Sequence, residues 1–226
     1  MTTGWRELIF PPSQAGAQSQ AGAATGPGAT DLAPGPERNS RLTVATAVVL
    51  LVILAAEGAT LLSVRRLLSW HIFLGMLVVP PVLLKLGSTS YRFARYYLGS
   101  PPYRQKGPPP PVLRLLGPLV ALSTIGLLAT GLGLVVLSPA SPWQARMLLA
   151  HKASFVIWFG AMTVHVLGHI AETARIAPRD WVRSTRQPGA GARHWLVALS
   201  VAAGVPLGLA FMGRASWWLG NVHLHH

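Results

Sequence analysis

The chain contains no cysteine, and this absence excludes several kinds of site at once. Without thiols there can be no disulfide, no thiolate-held iron–sulfur cluster and no covalent CxxCH haem attachment. A haem bound to such a chain has to be held without covalent links, by histidine or methionine side chains. The sequence also lacks Rossmann and P-loop fingerprints, so it predicts no nucleotide-binding domain.

Charge is scarce too, and acidic residues are the scarcest. Charged residues make up 11% of the chain, against the roughly 25% that is usual for soluble domains. Hydrophobic residues make up 51%, and apolar runs long enough to cross a membrane recur, for which about 20 residues are needed. The composition therefore predicts an integral membrane protein of the all-α class, a helical bundle in a lipid bilayer.

The net charge of +13 comes from 19 basic and 6 acidic residues. A strongly basic chain can bind nucleic acid, but here the basic residues flank the apolar runs and form no compact soluble module. That placement is typical of topology signals and of contacts with lipid headgroups. We therefore expect no nucleic-acid partner.

The apolar runs predict five transmembrane helices that follow a disordered tail. From Pro11 to Pro36 the chain is mostly Ala, Gly, Pro, Ser, Gln and Thr, with almost nothing to bury. Residues 1–41 are therefore predicted to form a disordered cytoplasmic tail. Residues 42–213 form the predicted bundle, with a kink at Pro80 and Pro81, and 214–226 form a short extracytoplasmic tail. The predicted spans are 42–62, 67–86, 112–137, 147–170 and 195–212.

The distribution of basic residues predicts the orientation of the bundle in the cell membrane. Cytoplasmic segments carry an excess of Lys and Arg. With five spans, most basic residues fall on the face that holds the N-terminus. We therefore expect a multi-pass protein with its N-terminus in the cytoplasm and its C-terminus outside. The opposite face has Arg65, Arg66, Arg146, Lys152 and Arg214.

Several histidines lie in or beside the apolar runs. Ionisable groups are costly inside a bilayer, so a span that carries them is expected to use them. His151 and His165 lie fourteen residues apart in the fourth predicted span, which puts them about 21 Å apart along the helix and within roughly 40° of one face. The most economical use of neutral imidazoles at this depth is ligation of a metal or a haem iron.

The predicted topology gives His71 and His151 similar depths. Spans two and four run in the same direction, and each of these histidines lies near the outer start of its span. Two imidazoles at one depth on neighbouring helices can bind one haem iron from both sides. Gly75, one turn after His71, leaves room for a flat macrocycle. His165 lies deeper, where span two has Lys85 and no histidine.

The candidate cofactor-binding residues follow from these positions. Trp158 lies on the histidine-bearing face of span four, where an aromatic ring suits the wall of a porphyrin slot. Arg66 lies at the outer membrane edge, where propionates need cations, and Lys85 could pair with a propionate of an inner haem. No catalytic residue is predicted. The full set is His71, His151, His165, His169, Gly75, Trp158, Arg66 and Lys85, of which His71, His151 and His165 are also the candidate metal ligands.

Three segments carry a family resemblance: WHIFLG at 70–75, YRFARYYLGSPPYR at 91–104 and HKASFVIWFGAMTVHVLGH at 151–169. They resemble membrane b-type cytochromes of the broad cytochrome b and ferric-reductase-like group, most closely a set of actinobacterial haem-binding membrane proteins. The resemblance covers about 67–170, and the spacing of His151 and His165 matches the ligand spacing of cytochrome b helices. Lys85 stands where a fourth histidine would.

This resemblance implies a protein that binds haem b, with one haem expected and a second left open. It also implies electron transfer within or across the membrane, for a partner oxidoreductase whose cytochrome b subunit this chain would be. Whether the chain is itself an enzyme stays open.

Two other functions also stay open from the sequence. The histidines could serve protons or metal cations in a small transporter or channel, or the chain could be a non-catalytic subunit that anchors a partner in the membrane. Glu57, inside the first span, could hydrogen-bond a neighbouring helix or relay protons. The interpretation favoured from the sequence places it among the lipid headgroups.

Overall fold

The computed structural model describes residues 34–105, 111–180 and 189–222, and these ranges are helical with no strand. The predicted all-α class is thereby confirmed. The helices are α1 (Pro34–Thr60), α2 (Leu68–Leu77), α3 (Val79–Tyr97), α4 (Pro101–Gln105), α5 (Pro111–Val136), α6 (Gln144–Ile176), α7 (Ala190–Met212) and α8 (Arg214–Val222). Single-turn 3-10 segments follow α1 at Leu61–Ser63 and α6 at Ala177–Asp180.

Five stretches of the described residues are long and apolar enough to cross a membrane, as the sequence predicts. Most are longer than predicted, because polar and aromatic residues at their ends continue the helices. The second consists of α2 and α3 together and is the most buried of the five. The stretches are Gly35–Ser63, Leu68–Tyr97, Arg114–Val136, Gln144–Ala171 and Ala190–Gly220.

The second span is interrupted near the predicted kink. Helix α2 ends at Leu77, and α3 starts at Val79 with Pro80 in its first turn. Proline has no N–H, so Pro80 and Pro81 cannot bond the carbonyl groups four residues earlier, including that of Leu77. The break therefore falls one turn before the prolines that cause it.

The first helix begins earlier than the sequence predicts, so the assignment of residues 34–41 to a disordered tail is wrong. Arg41 pairs with Glu37 at 2.9 Å within one turn, and Asn39 Nδ2 donates to the Ser88 carbonyl oxygen at 3.0 Å. The first contact supports the opening turns of α1, and the second ties them to α3. The predicted disorder of residues 1–33 lies outside the described residues.

The predicted C-terminal tail also contains a helix, α8. Ala215 is fully buried, in a cluster with Ile72 and Val135. Trp218 Nε1 donates to the Leu134 carbonyl oxygen at 3.1 Å. The apolar side of α8 is therefore folded back onto α2 and α5 and does not extend into solvent.

The spans pack as two groups. Helices α1, α2, α3 and α7 form one group, and α5 and α6 pair along their length, with only sparse contacts between the groups. Alternation of the spans puts the end of α1, the start of α2, the end of α5 and the start of α6 at one end of the bundle, called the His71 end. The other end, which holds the start of α1, the end of α3 and the start of α5, is called the Arg95 end.

Candidate functional site

His71 and His151 approach each other across the junction between the two groups of helices. His71 lies in the first turn of α2 and His151 in the second turn of α6. Their ring centroids are 6.5 Å apart, and the ring planes are inclined at 80°. The structure therefore brings together two histidines that are 80 residues apart in the chain, and their proximity agrees with the predicted topology.

The His71 ring is held by groups at the end of α1. Its Nδ1 lies 2.9 Å from Glu57 Oε1 and 3.0 Å from Thr60 Oγ1. Glu57 is largely buried, with 17% of its side chain exposed. The structure therefore places Glu57 against the neighbouring helix, which is an alternative that the sequence left open.

Gly75 borders the same carboxylate. A methyl group built on Gly75 would lie 3.5 Å from Glu57 Oε1. The absence of a side chain one turn after His71 thus leaves space beside Glu57. From the sequence, this space was expected to accommodate a macrocycle.

The His151 ring is held by α5. Its Nδ1 lies 3.1 Å from Thr130 Oγ1. A methyl group built on Gly131 would lie 3.1 Å from Cε1 of the same ring. Gly131 therefore makes room for the imidazole, and Thr130 orients it.

The hydrogen bonds fix the same tautomer in both rings. Thr130 Oγ1 donates its own proton to the carbonyl oxygens of Gly126 or Leu127, at 2.8 and 3.0 Å, so it accepts from His151 Nδ1. Thr60 Oγ1 likewise donates to the Glu57 carbonyl oxygen at 2.5 Å. Thr60 Oγ1 therefore accepts from His71 Nδ1, and Glu57 Oε1 lies within reach as a second acceptor. Nδ1 is therefore the protonated nitrogen of both neutral rings, and each Nε2 keeps its lone pair.

His165 and His169 lie near the other end of α6 and face each other across one turn. Their ring centroids are 4.7 Å apart. His165 Nδ1 is buried without a hydrogen-bond partner among the described residues, and Lys85 lies within electrostatic range of the ring. Lys85 Nζ donates to the Thr43 carbonyl oxygen at 2.8 Å. The predicted depth match of His165 with Lys85 agrees with this arrangement, but no second imidazole faces His165 from α3.

Two other predicted site residues have separate positions. Trp158 is buried between α5 and α6, where its Nε1 donates to Thr124 Oγ1 at 3.0 Å. It therefore joins the two helices of one group. Arg66 is exposed in the turn between α1 and α2, at the His71 end. Arg146, also at that end, has its guanidinium 5.0 Å from the Trp143 ring centroid.

The surroundings of the two imidazoles are completed by Glu57, Thr60 and Thr130. None of these three residues was predicted from the sequence to belong to the site. Glu57 carried a usable signal, because it is a carboxylate deep in an apolar run. Thr60 and Thr130 carried none, since threonine commonly bonds the carbonyl of its own helix. Only the packing of α1 on α2 and of α5 on α6 brings them to the rings.

The donor set suits an ion that needs only two protein ligands. The described residues contain no group of three or more His, Asp or Glu side chains arranged to hold a metal ion. A haem iron has four ligands from the porphyrin and takes its axial ligands from the protein. Two metal–imidazole bonds of about 2.0 Å on opposite sides of one iron place the ring centroids roughly 6 Å apart, close to the separation of His71 and His151. The separation of the two imidazoles therefore matches what a haem iron between them would need.

Comparison with protein-family models, with curated proteins and with solved structures finds no match for this chain.

Proposed function

We propose that this membrane protein binds one haem b between His71 and His151 and transfers electrons for a partner protein. One observation carries the proposal: two imidazoles 6.5 Å apart, each with Nδ1 hydrogen-bonded and Nε2 left to ligate. Histidine ligands in metalloproteins typically donate the other ring N–H to a carboxylate, a carbonyl or a similar acceptor.

The protein groups have distinct tasks in this proposal. Thr60 and Glu57 hold His71 through Nδ1, and Thr130 holds His151 in the same way beside Gly131, so each Nε2 is left to act as a ligand. The exposed Arg65 and Arg66 at the His71 end supply cations for propionates at the membrane edge. When bound, the haem would supply reversible one-electron chemistry between its ferric and ferrous states.

The remaining features of the proposal rest on the sequence. The chain has no nucleotide-binding fingerprint, so the electrons come from or go to a separate redox partner. The excess of basic residues at the Arg95 end supports an orientation with this end in the cytoplasm of the cell, and with it the N-terminus.

The absorbance spectrum of the purified protein tests the proposal directly. The full chain, produced in haem-replete cells and purified in detergent, is expected to show a low-spin reduced-minus-oxidised spectrum of haem b. Pyridine haemochrome analysis should give about one haem per chain, because one pair of imidazoles is matched. A colourless preparation would contradict the proposal and favour a transporter or an anchor subunit.

Glu57→Gln should raise the midpoint potential of the bound haem without removing the haem. Glutamine still accepts from His71 Nδ1, but a hydrogen bond to a charged acceptor is stronger by about 1 kcal/mol. Loss of the negative charge makes the imidazole a weaker electron donor to ferric iron. The expected rise is on the order of 50 mV, about a sevenfold change in a one-electron equilibrium.

Spectroelectrochemical titration at one pH measures this shift. Glu37→Gln is the matched control, because Glu37 pairs with Arg41 at the opposite end of α1 and should leave the potential unchanged. Equal potentials in wild type and Glu57→Gln would show that Glu57 does not act on the haem through His71.

A further inference from the structure

Four arginines from three consecutive elements gather at the Arg95 end of the bundle. They are called the arginine surface and belong to the end of α3, to α4 and to the start of α5. Three of them are exposed, and Arg92 is partly so. The members are Arg92, Arg95, Arg104 and Arg114.

Tyrosines hold two of these guanidinium groups in place. The Arg95 guanidinium lies 5.9 Å from the ring centroid of Tyr103, which is 7% exposed and makes an edge contact with Tyr91. Arg114 Nη2 donates to Tyr97 Oη at 2.8 Å. Each guanidinium has five N–H donors, so most donors stay available for a ligand while the side chain is already positioned.

The carboxylates of the described side chains do not neutralise this surface. Glu37 pairs with Arg41, and Glu57 contacts His71 at the opposite end of the bundle. No ion pair to the arginine surface occurs among the described residues. Such a concentration of cations at a membrane edge attracts an external anion.

Apolar side chains beside the arginines indicate what kind of anion fits. Phe93 is 59% exposed, Tyr97 53% and Leu98 83%, all within one turn of Arg95. A phospholipid offers a phosphate to the guanidinium groups and an acyl chain to these side chains at the same depth. A dissolved anion or an acidic soluble protein would leave the apolar side chains without a partner.

We propose that the arginine surface is a binding site for the headgroup of an anionic phospholipid, with Phe93 and Leu98 against its acyl chains. The site does not depend on the haem and lies at the other end of the spans. It differs from a general basic flank because two of its four guanidinium groups, those of Arg95 and Arg114, are positioned by Tyr103 and Tyr97.

Lipid titration of the detergent-purified full chain, followed by native mass spectrometry, tests this proposal. The wild type should retain POPG in preference to POPC, and excess inorganic phosphate should not displace the lipid. Combining Arg92→Gln, Arg95→Gln and Arg114→Gln should weaken POPG binding by about 100-fold, since each surface cation contributes roughly a factor of five. The matched control, which removes the same charge at the His71 end, combines Arg146→Gln, Lys152→Gln and Arg214→Gln, all exposed, and should bind POPG almost as the wild type does.

Three results would overturn the site. A wild type that does not discriminate POPG from POPC has no such site, and this arm needs no variant to fold. Equal losses in the two triple variants would reduce the effect to net charge. If the Arg92, Arg95 and Arg114 variant keeps its POPG affinity but loses binding of poly-glutamate, the surface serves an acidic protein instead.

Discussion

His71→Ala and His151→Ala should each abolish the low-spin haem spectrum. Each substitution removes one of the two proposed haem ligands, while Glu57 or Thr130 loses the imidazole that it contacts. Loss of an outer-shell partner alone typically costs 10–100-fold in metal affinity, so loss of the ligand should cost at least about 100-fold. The purified variants are expected to carry almost no haem, which absorbance and pyridine haemochrome analysis measure.

Two controls make this prediction specific. His165→Ala removes a histidine from the same helix, fourteen residues further on, and should leave one haem with an unchanged spectrum. Imidazole added to His71→Ala should restore low-spin haem, because the cavity keeps Glu57 and Thr60 as acceptors for the free ligand. An intact spectrum in His71→Ala would show that the paired imidazoles are not the axial ligands.

The helical class and the pairing of His71 with His151 could be predicted from sequence, and for clear physical reasons. Apolar runs must form helices in a bilayer, and the alternation of spans puts the starts of the second and fourth spans at one end. Those two rules bring His71 and His151 to equal depth without knowledge of packing. They do not say which faces meet, and the 6.5 Å separation comes only from the structure.

The groups that orient the rings could not be predicted, because they come from neighbours that periodicity does not identify. Thr130 reaches His151 only because α5 and α6 pack closely at Gly131. Helix α8 was missed for a related reason. Its nine residues are too few for a span, and its stability depends on burial of Ala215 and on the bond from Trp218 to Leu134.

Gly204→Ala should destabilise the bundle more than any other glycine-to-alanine change along α7. A methyl group at Gly204 would overlap the Leu77 carbonyl oxygen and lie 2.9 Å from Leu77 Cα. This carbonyl is one that Pro81 cannot bond, so α7 approaches α2 at the break in the second span. Overpacking of this kind costs about 1–3 kcal/mol, and relief here requires movement of backbone, not of a flexible side chain. Thermal unfolding in detergent, followed by circular dichroism, measures the loss.

Gly160→Ala is the matched control, because nothing lies within 4 Å of a methyl group built on Gly160. Alanine is the better helix former by roughly 1 kcal/mol, so this variant should be at least as stable as the wild type. Because α2 also carries His71, its displacement by Gly204→Ala should lower haem retention as well. Equal stability of the two variants would mean that α2 and α7 do not pack in membrane or detergent as the structure shows.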